Sequence, residues 1–477
     1  MDEQHFIRLG LYRLRHPLPP VKLKVIHSLA EALQSDKGEL VWKEYLAHLS
    51  SLSLESEAAE ALMVAFLARK SPLVSTAALR QALTAPSPIS DYILMEMSGQ
   101  PPLINLWSKA HSGEVPKFYA IAEEATAITH PRIVPPIVKT RLTGLEEMSG
   151  YPFVRQWEYE VERLIARFGQ PATGSFEYWT EGSGSVTQVI PRPCHYARSA
   201  YLRTLSLAFD KWGMPEDEVY QEAAYVIPGS LIYTQMPPGE RPSWAGRLAS
   251  TQVTEETDCS TLVRALIKEC ADAGDTLLHL NSPLQRSEVF CADLRIAACY
   301  TEGPSANPKM AMRMHDYFLN KYITFAQEDA DEMQIPSIAI QPMQFNNGAR
   351  ALPAIAPAPM HNIGYLTTDL IPRFPHLPVP YSEDTVINAV PAAGGLTLKM
   401  GDEAIGYLNY WNQQWKASHP RDASTPCGVS LVMKKEPLEN IAPGHGYRLQ
   451  HFWELTILER EESYSDWNWR ILHGSIE

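Results

Sequence analysis

His445, His451 and Glu454, with Asp402 or Glu403 from a neighbouring hairpin, are the side chains whose types best suit a metal-dependent hydrolase or nuclease. Imidazole and carboxylate groups ligate a hydrolytic metal, and a spare one serves as general base. These residues form no compact motif, so the fold would have to assemble such a site. His445 stands between Gly444 and Gly446, where the missing Cβ lets the backbone approach a ligand, although Gly-His-Gly is first of all a turn.

Other chemistry-bearing patterns are absent or misplaced. No GxxxxGK, GxSxG or HExxH occurs. Gly182-x-Gly184 has Thr187 where a third glycine would complete a dinucleotide pattern, and it lies in hairpin-like sequence. Asp258-Cys259-Ser260 opens a helix, where a thiolate could gain from the macrodipole, but an aspartate there is an ordinary cap. Cys194 and His195 are sequence neighbours, which does not make them face each other. The acidic knot Glu328, Asp329, Asp331 and Glu332 lacks the glycine of a calcium loop. No motif calls for a cofactor or a structural metal.

Two groups of residues suit binding rather than catalysis. Tyr407, Trp411 and Trp415 recur every four residues, which makes an aromatic ridge on a helix or a packed face on a strand. Arg8, Arg13, Arg15, Lys22 and Lys24 form the one basic island, a candidate phosphate contact or a solvated helix face.

The elements that must position these residues can be read from periodicity. Residues 21–98 read as short helices, either an irregular bundle or a repeat array without a fixed period. A helix follows Pro152, carries Val154, Trp157, Val161, Leu164, Ile165 and Phe168, and closes at Gly169. Residues 172–193 alternate as a hairpin, helices return at 196–212 and 215–226, and another spans about 258–273. Strands are expected at 276–280 and 288–300, then a helix from Asn307-Pro308. Seven prolines between 353 and 380 mark extended chain. Beyond it, a hairpin turning at Gly401-Asp402 and strands at 429–433, 447–459 and 465–472 make the C-terminus β-rich.

The expected fold is therefore α+β and multidomain. A helical domain spans 1–170, a mixed α+β domain 171–345, a Pro-rich connector 346–385, and an antiparallel β-rich module 386–477. The chain has 477 residues and a formal charge of −14, which argues against a general polyanion-binding body. It shows no membrane-spanning apolar run, no signal-like start at Met1-Asp2-Glu3 and no paired cysteine framework, so a cytoplasmic setting with reduced thiols is expected. Missing catalytic signatures beside abundant aromatic and Pro-rich surface point to a non-enzymatic interaction or scaffold subunit with a protein partner. In a bacterial source, an accessory subunit of a defence or mobile-element system would fit. The alternatives are the assembled metal hydrolase and nucleic-acid binding through the basic island, the latter less favoured.

Overall fold

The computed structural model describes, with short gaps, residues 3–172, 192–223, 235–312, 387–412 and 427–476, and two-residue strands at 341–342, 345–346, 351–352 and 376–377. The chain forms two compact units, one spanning Met1–Thr234 and the other taking in Gln235–Asn346 and Met360–Glu477. The expected α+β, multidomain class is what is observed. The helical unit runs past residue 170, and the sheet of the other unit draws strands from both 275–302 and 387–476. The expected hairpin at 172–193 and the body of the helix beyond Pro308 lie mostly outside the described residues. So does the Pro-rich connector, apart from the short strands.

The helical unit contains α1 (Glu3–Tyr12), α2 (Pro19–Ala32), α3 (Gly38–Ser50), α4 (Glu55–Leu67), α5 (Thr76–Ala82), α6 (Pro88–Ser98), α7 (Glu123–Ile128), α8 (Pro136–Ser149), α9 (Phe153–Phe168), α10 (Arg192–Trp212) and α11 (Glu216–Ala223). Its centre is α4, where every residue from Glu55 to Phe66 is buried. The sequence suggests a stripe through Ala59, Leu62, Phe66 and Leu67, of which Leu67 is only partly buried. The alanines at 58, 59, 61 and 65 leave room for α2, α6 and α10 to pack on several sides instead. Because α10 is remote from α4 in sequence, these contacts describe a closed bundle rather than an array of nearest neighbours. Trp157 of α9 adds a cross-link, its buried indole N–H donating to Ala197 O at 2.7 Å.

Helix α9 ends as its sequence dictates, with Gly169 at φ +82 accommodating the reversal. Its buried face is less apolar than expected. Gln156 and Glu160 are buried beside Trp157, Val161 and Leu164.

The second unit is built on one eight-stranded antiparallel sheet. Its strands are β1 (Asp275–Arg286), β2 (Phe290–Glu302), β7 (Ile387–Ala392), β8 (Gly395–Met400), β9 (Glu403–Asn412), β10 (Cys427–Lys434), β11 (Tyr447–Glu459) and β12 (Asn468–Ile476); the two-residue strands count as β3 to β6. The order is β12-β11-β2-β1-β10-β9-β8-β7. The β8–β9 hairpin turns at Gly401, φ +61, and Asp402, as the sequence requires. Helix α12 (Cys259–Asp272), capped by Asp258 accepting from Thr261 N at 3.3 Å, shares one core with the sheet. Leu262, Val263 and Leu266 meet Leu294, Ile296, Leu455 and Ile457 there. A further helix, α13 (Lys435–Ile441), links β10 to the segment before β11. The alternating face expected for β11 exists, but Phe452 and Leu458 on its other face are also buried. No helix among the described residues is long and apolar enough to cross a membrane.

Two tryptophans of this core face glycine across a strand pair. Trp411 pairs with Gly428, and Trp453 with Gly474. A Cβ on Gly428 would stand 2.4 Å from the Trp411 ring, and one on Gly474 would stand 2.3 Å from the Trp453 ring. Each indole therefore lies over the space its partner leaves. Gly428→Ala and Gly474→Ala are expected to lower unfolding free energy by about 1–3 kcal/mol each in denaturant titration. Gly246→Ala, where nothing lies within 4 Å, should cost nothing by the same measurement.

Candidate functional site

The first arrangement with chemical potential is a polar seam between antiparallel α4 and α10. Residues four apart on α10 present Arg203, Ser199 and His195 in turn to α4. Arg203 Nε donates to Glu55 Oε1 at 2.7 Å, and Ser199 Oγ accepts from Ser56 N at 3.1 Å. His195 Nδ1 lies 3.1 Å from Ser56 Oγ, and its Nε2 lies 3.3 Å from Lys22 Nζ. Lys22 in turn pairs with Glu60. All these residues are buried. The Ser199 contact has a local cause. Leu54, at the N-cap of α4, offers no side-chain acceptor, so a first-turn N–H is satisfied from the neighbouring helix.

Serine, histidine and glutamate in contact resemble a nucleophile triad, but the proton inventory opposes it. An ammonium group has donors and no acceptor, so His195 Nε2 must accept from Lys22. The ring proton then sits on Nδ1 and is donated to Ser56 Oγ. A serine that receives a proton from its histidine is not activated by it. Burial, reinforced by Lys22 and Arg198, holds the His195 pKa well below its ordinary value, which keeps the ring neutral. Burial raises the carboxyl pKa of Glu55 against the opposing pull of Arg203.

The seam opens at Glu55 and Arg203 into a cleft of about 580 Å³. Its walls come from the α3–α4 turn (Ser50–Ser53), the α5–α6 turn (Thr84–Pro86), residues 106–112, and the last turn of α9 with Arg163, Arg167 and Phe168. Glu55 is the one carboxylate in this lining. The 106–112 wall is fixed by α9. Buried Glu160 accepts from Ser112 N and Ser112 Oγ, both at 2.7 Å, and Gln156 accepts from Val115 N at 2.7 Å. The loop continues along the same helix. Arg155 donates to the carbonyls of Pro116 (3.1 Å), Lys117 (2.7 Å) and Tyr119 (2.5 Å), and Tyr119 OH reaches Glu162. Between these clamps Phe118 is 98% exposed.

The residues singled out from sequence are distributed differently. His451 is buried on the α12 side of the sheet, with Nε2 2.8 Å from Leu277 O, where a bulge interrupts the β1–β10 ladder. Glu454, three residues on, points to the opposite face. There it stands between its directly paired neighbours, Arg295 Nη1 and His473 Nε2, each at 3.1 Å. Asp402 and Glu403 are exposed at the β8–β9 turn, with β2, β1 and β10 intervening between β11 and β9. The described members of that set are thus not brought together. His445 lies outside the described residues, as does Trp415. Tyr407 and Trp411 share the strand face rather than a helix ridge, and Trp411 is core, 1% exposed.

The basic island is largely spent within the helical unit. Arg8 pairs with Glu44 at 2.6 Å, Arg15 with Glu57 at 3.7 Å, and Lys22 with Glu60, while Arg13 and Lys24 are exposed. The solvated-face reading therefore fails for Lys22, which is 4% exposed. The Cys259 thiol is pushed up to about 12, first by burial and then by Asp258, so it is no nucleophile near neutral pH. Cys194, Cys259, Cys270 and Cys299 are buried free thiols, and Cys291 is buried as well. No metal-ligating cluster of three occurs among the described residues. The chain matches no known protein family, and no curated protein matches it in sequence. Sequence reasoning missed the seam and the cleft because their members come from helices far apart. The available signal was the four-residue spacing of His195, Ser199 and Arg203 along one helix.

Breaking the buried ion pair leaves an uncompensated charge. Lys22→Met is expected to destabilise the helical unit by about 3–5 kcal/mol, with most of it recovered in Lys22→Met/Glu60→Leu, as read by a double-mutant cycle in denaturant. The His195 pKa is lower folded than unfolded, so its stabilising contribution is present above the unfolded value and lost as pH falls. The stability advantage of wild type over His195→Gln should shrink as pH falls from 7 to 5 in denaturation measured at each pH.

Proposed function

We propose that this chain is a non-enzymatic interaction subunit of a cytosolic multiprotein assembly, and that Phe118 is an anchor of its protein interface. The reading is carried by one observation, the fully exposed phenyl ring on a loop whose carbonyls are clamped by Arg155 on both sides of it. An exposed apolar residue by itself is ordinary. An exposed aromatic on a loop already ordered is different, because binding immobilises little more and the ring's burial is gained nearly whole. Lys117, its exposed neighbour in the chain, suits an apolar socket with a carboxylate at its rim on the partner. The polarity of the His195–Ser56 contact and the separation of Glu454 from Asp402 and Glu403 support a subunit that binds rather than turns over.

Phe118→Ala is expected to leave the melting temperature unchanged and to weaken a stoichiometric partner, isolated with tagged chain from its host, by about thirtyfold. Arg155→Ala should weaken the same partner less, through loss of loop order. The measurement is a titration of purified partner against each variant. Equal affinity for wild type and Phe118→Ala sinks the proposal, as does a partner that binds only through self-association of this chain in sedimentation velocity.

A further inference from the structure

We infer that the cleft at the open end of the α4–α10 seam binds a phosphorylated small molecule of nucleotide size. The chain as a whole is strongly acidic, at −14, yet this cleft gathers Lys109, Arg163, Arg167 and Arg203 around a single carboxylate. Glu55 is matched by Arg203 at 2.7 Å, so the remaining cations are in excess over the acids that line the cleft. Glu162, bonded to Arg163, and Asp210, facing Lys109, offset part of this charge from outside the lining, and an anion in the cleft would gain from the remainder.

A second observation concerns the same lining. Arg163 is tied through Nη2 to Glu162 Oε1 at 3.3 Å and Tyr119 OH at 3.4 Å. Arg167 carries its guanidinium 5.0 Å over the Phe168 ring, both in the lining, and a planar fork so placed suits a phosphate oxygen, which accepts charge-assisted bonds. Glu55, the first residue of α4, lines the cleft too, where that helix brings the positive end of its dipole, with Ser56 N already bonded to Ser199.

The lining also has apolar members. Leu52, Pro86, Leu106 and Phe168 supply apolar surface, and Leu106 is 49% exposed. A volume of about 580 Å³ lies within the range of small-ligand sites and exceeds what a bare phosphate would fill. A phosphate held by the cations and joined to a flat, weakly polar body held by the apolar members is the composition of a mononucleotide. The site does not depend on Phe118 or on a partner.

The test is isothermal titration calorimetry of the full chain with ATP, GTP, AMP and GMP, with pyrophosphate and with a single-stranded oligonucleotide, at 150 mM salt. Saturable one-to-one binding of at least one nucleotide is expected, with pyrophosphate at least tenfold weaker. Arg163→Met and Arg167→Met should each weaken it by tenfold or more, and Lys109→Gln, on a different wall, by several-fold if the arginine variants lose stability. Lys268→Gln, an exposed cation outside the lining, should leave it unchanged. Binding that the cleft variants do not alter overturns the inference. So does the absence of saturation by any nucleotide at 1 mM, and so does an oligonucleotide that outcompetes every mononucleotide with a steep salt dependence, which would make the cleft a nucleic-acid site.

Discussion

The helical unit depends on how charge is desolvated between α4 and α10. Ser56 and Glu60 lie on a helix buried all round, and with Glu55 at its cleft end they draw polar partners from other helices. Arg203, Ser199 and His195 supply partners at one-turn intervals, and Lys22 closes the inner end. Displacing α10 by a turn would leave these groups mismatched. Apolar packing alone tolerates sliding much better than such a ladder does. The seam therefore sets the register of the pair and, with it, the place where Glu55 and Arg203 meet the cleft.

The same logic extends outward through α9. Its buried polar residues do not stabilise by burial of apolar area. Gln156 and Glu160 fix residues 112–115, and Arg155 fixes residues 116–119. One helix thus shapes a wall of the cleft and holds Phe118 out in solvent. Order of this kind in a long irregular segment comes from side-chain bonds to backbone, since no ladder satisfies those groups.

The sheet unit uses a different economy of space. Trp411 over Gly428 and Trp453 over Gly474 set large rings against absent side chains. The Arg295–Glu454–His473 row sits on directly paired positions of β2, β11 and β12, as cross-strand charge pairing favours. Residues that look catalytic by type are here structural by position. His451 Nε2 donates to a bulge carbonyl, Leu277 O, and Glu454 bonds Arg295 and His473 on the other face.

The α+β class, the helix at Pro152–Gly169, the α12 stripe with its Asp258 cap, the Gly401-Asp402 turn and the long β11 strand were all legible in the sequence. Each is written in neighbours a few residues apart, through periodicity, caps and turn residues. The burial of three glutamates on α4 was not legible, because local composition alone reads such residues as a solvated face. Nor were the orientation of His195 toward Lys22, the cleft between α3, α5, α9 and residues 106–112, or the separation of Glu454 from Asp402. These depend on which distant segments pack together. Side-chain chemistry is carried by residue type, but whether a histidine is a base, a ligand or a buried spacer depends on the donors and acceptors that tertiary packing brings to its two nitrogens.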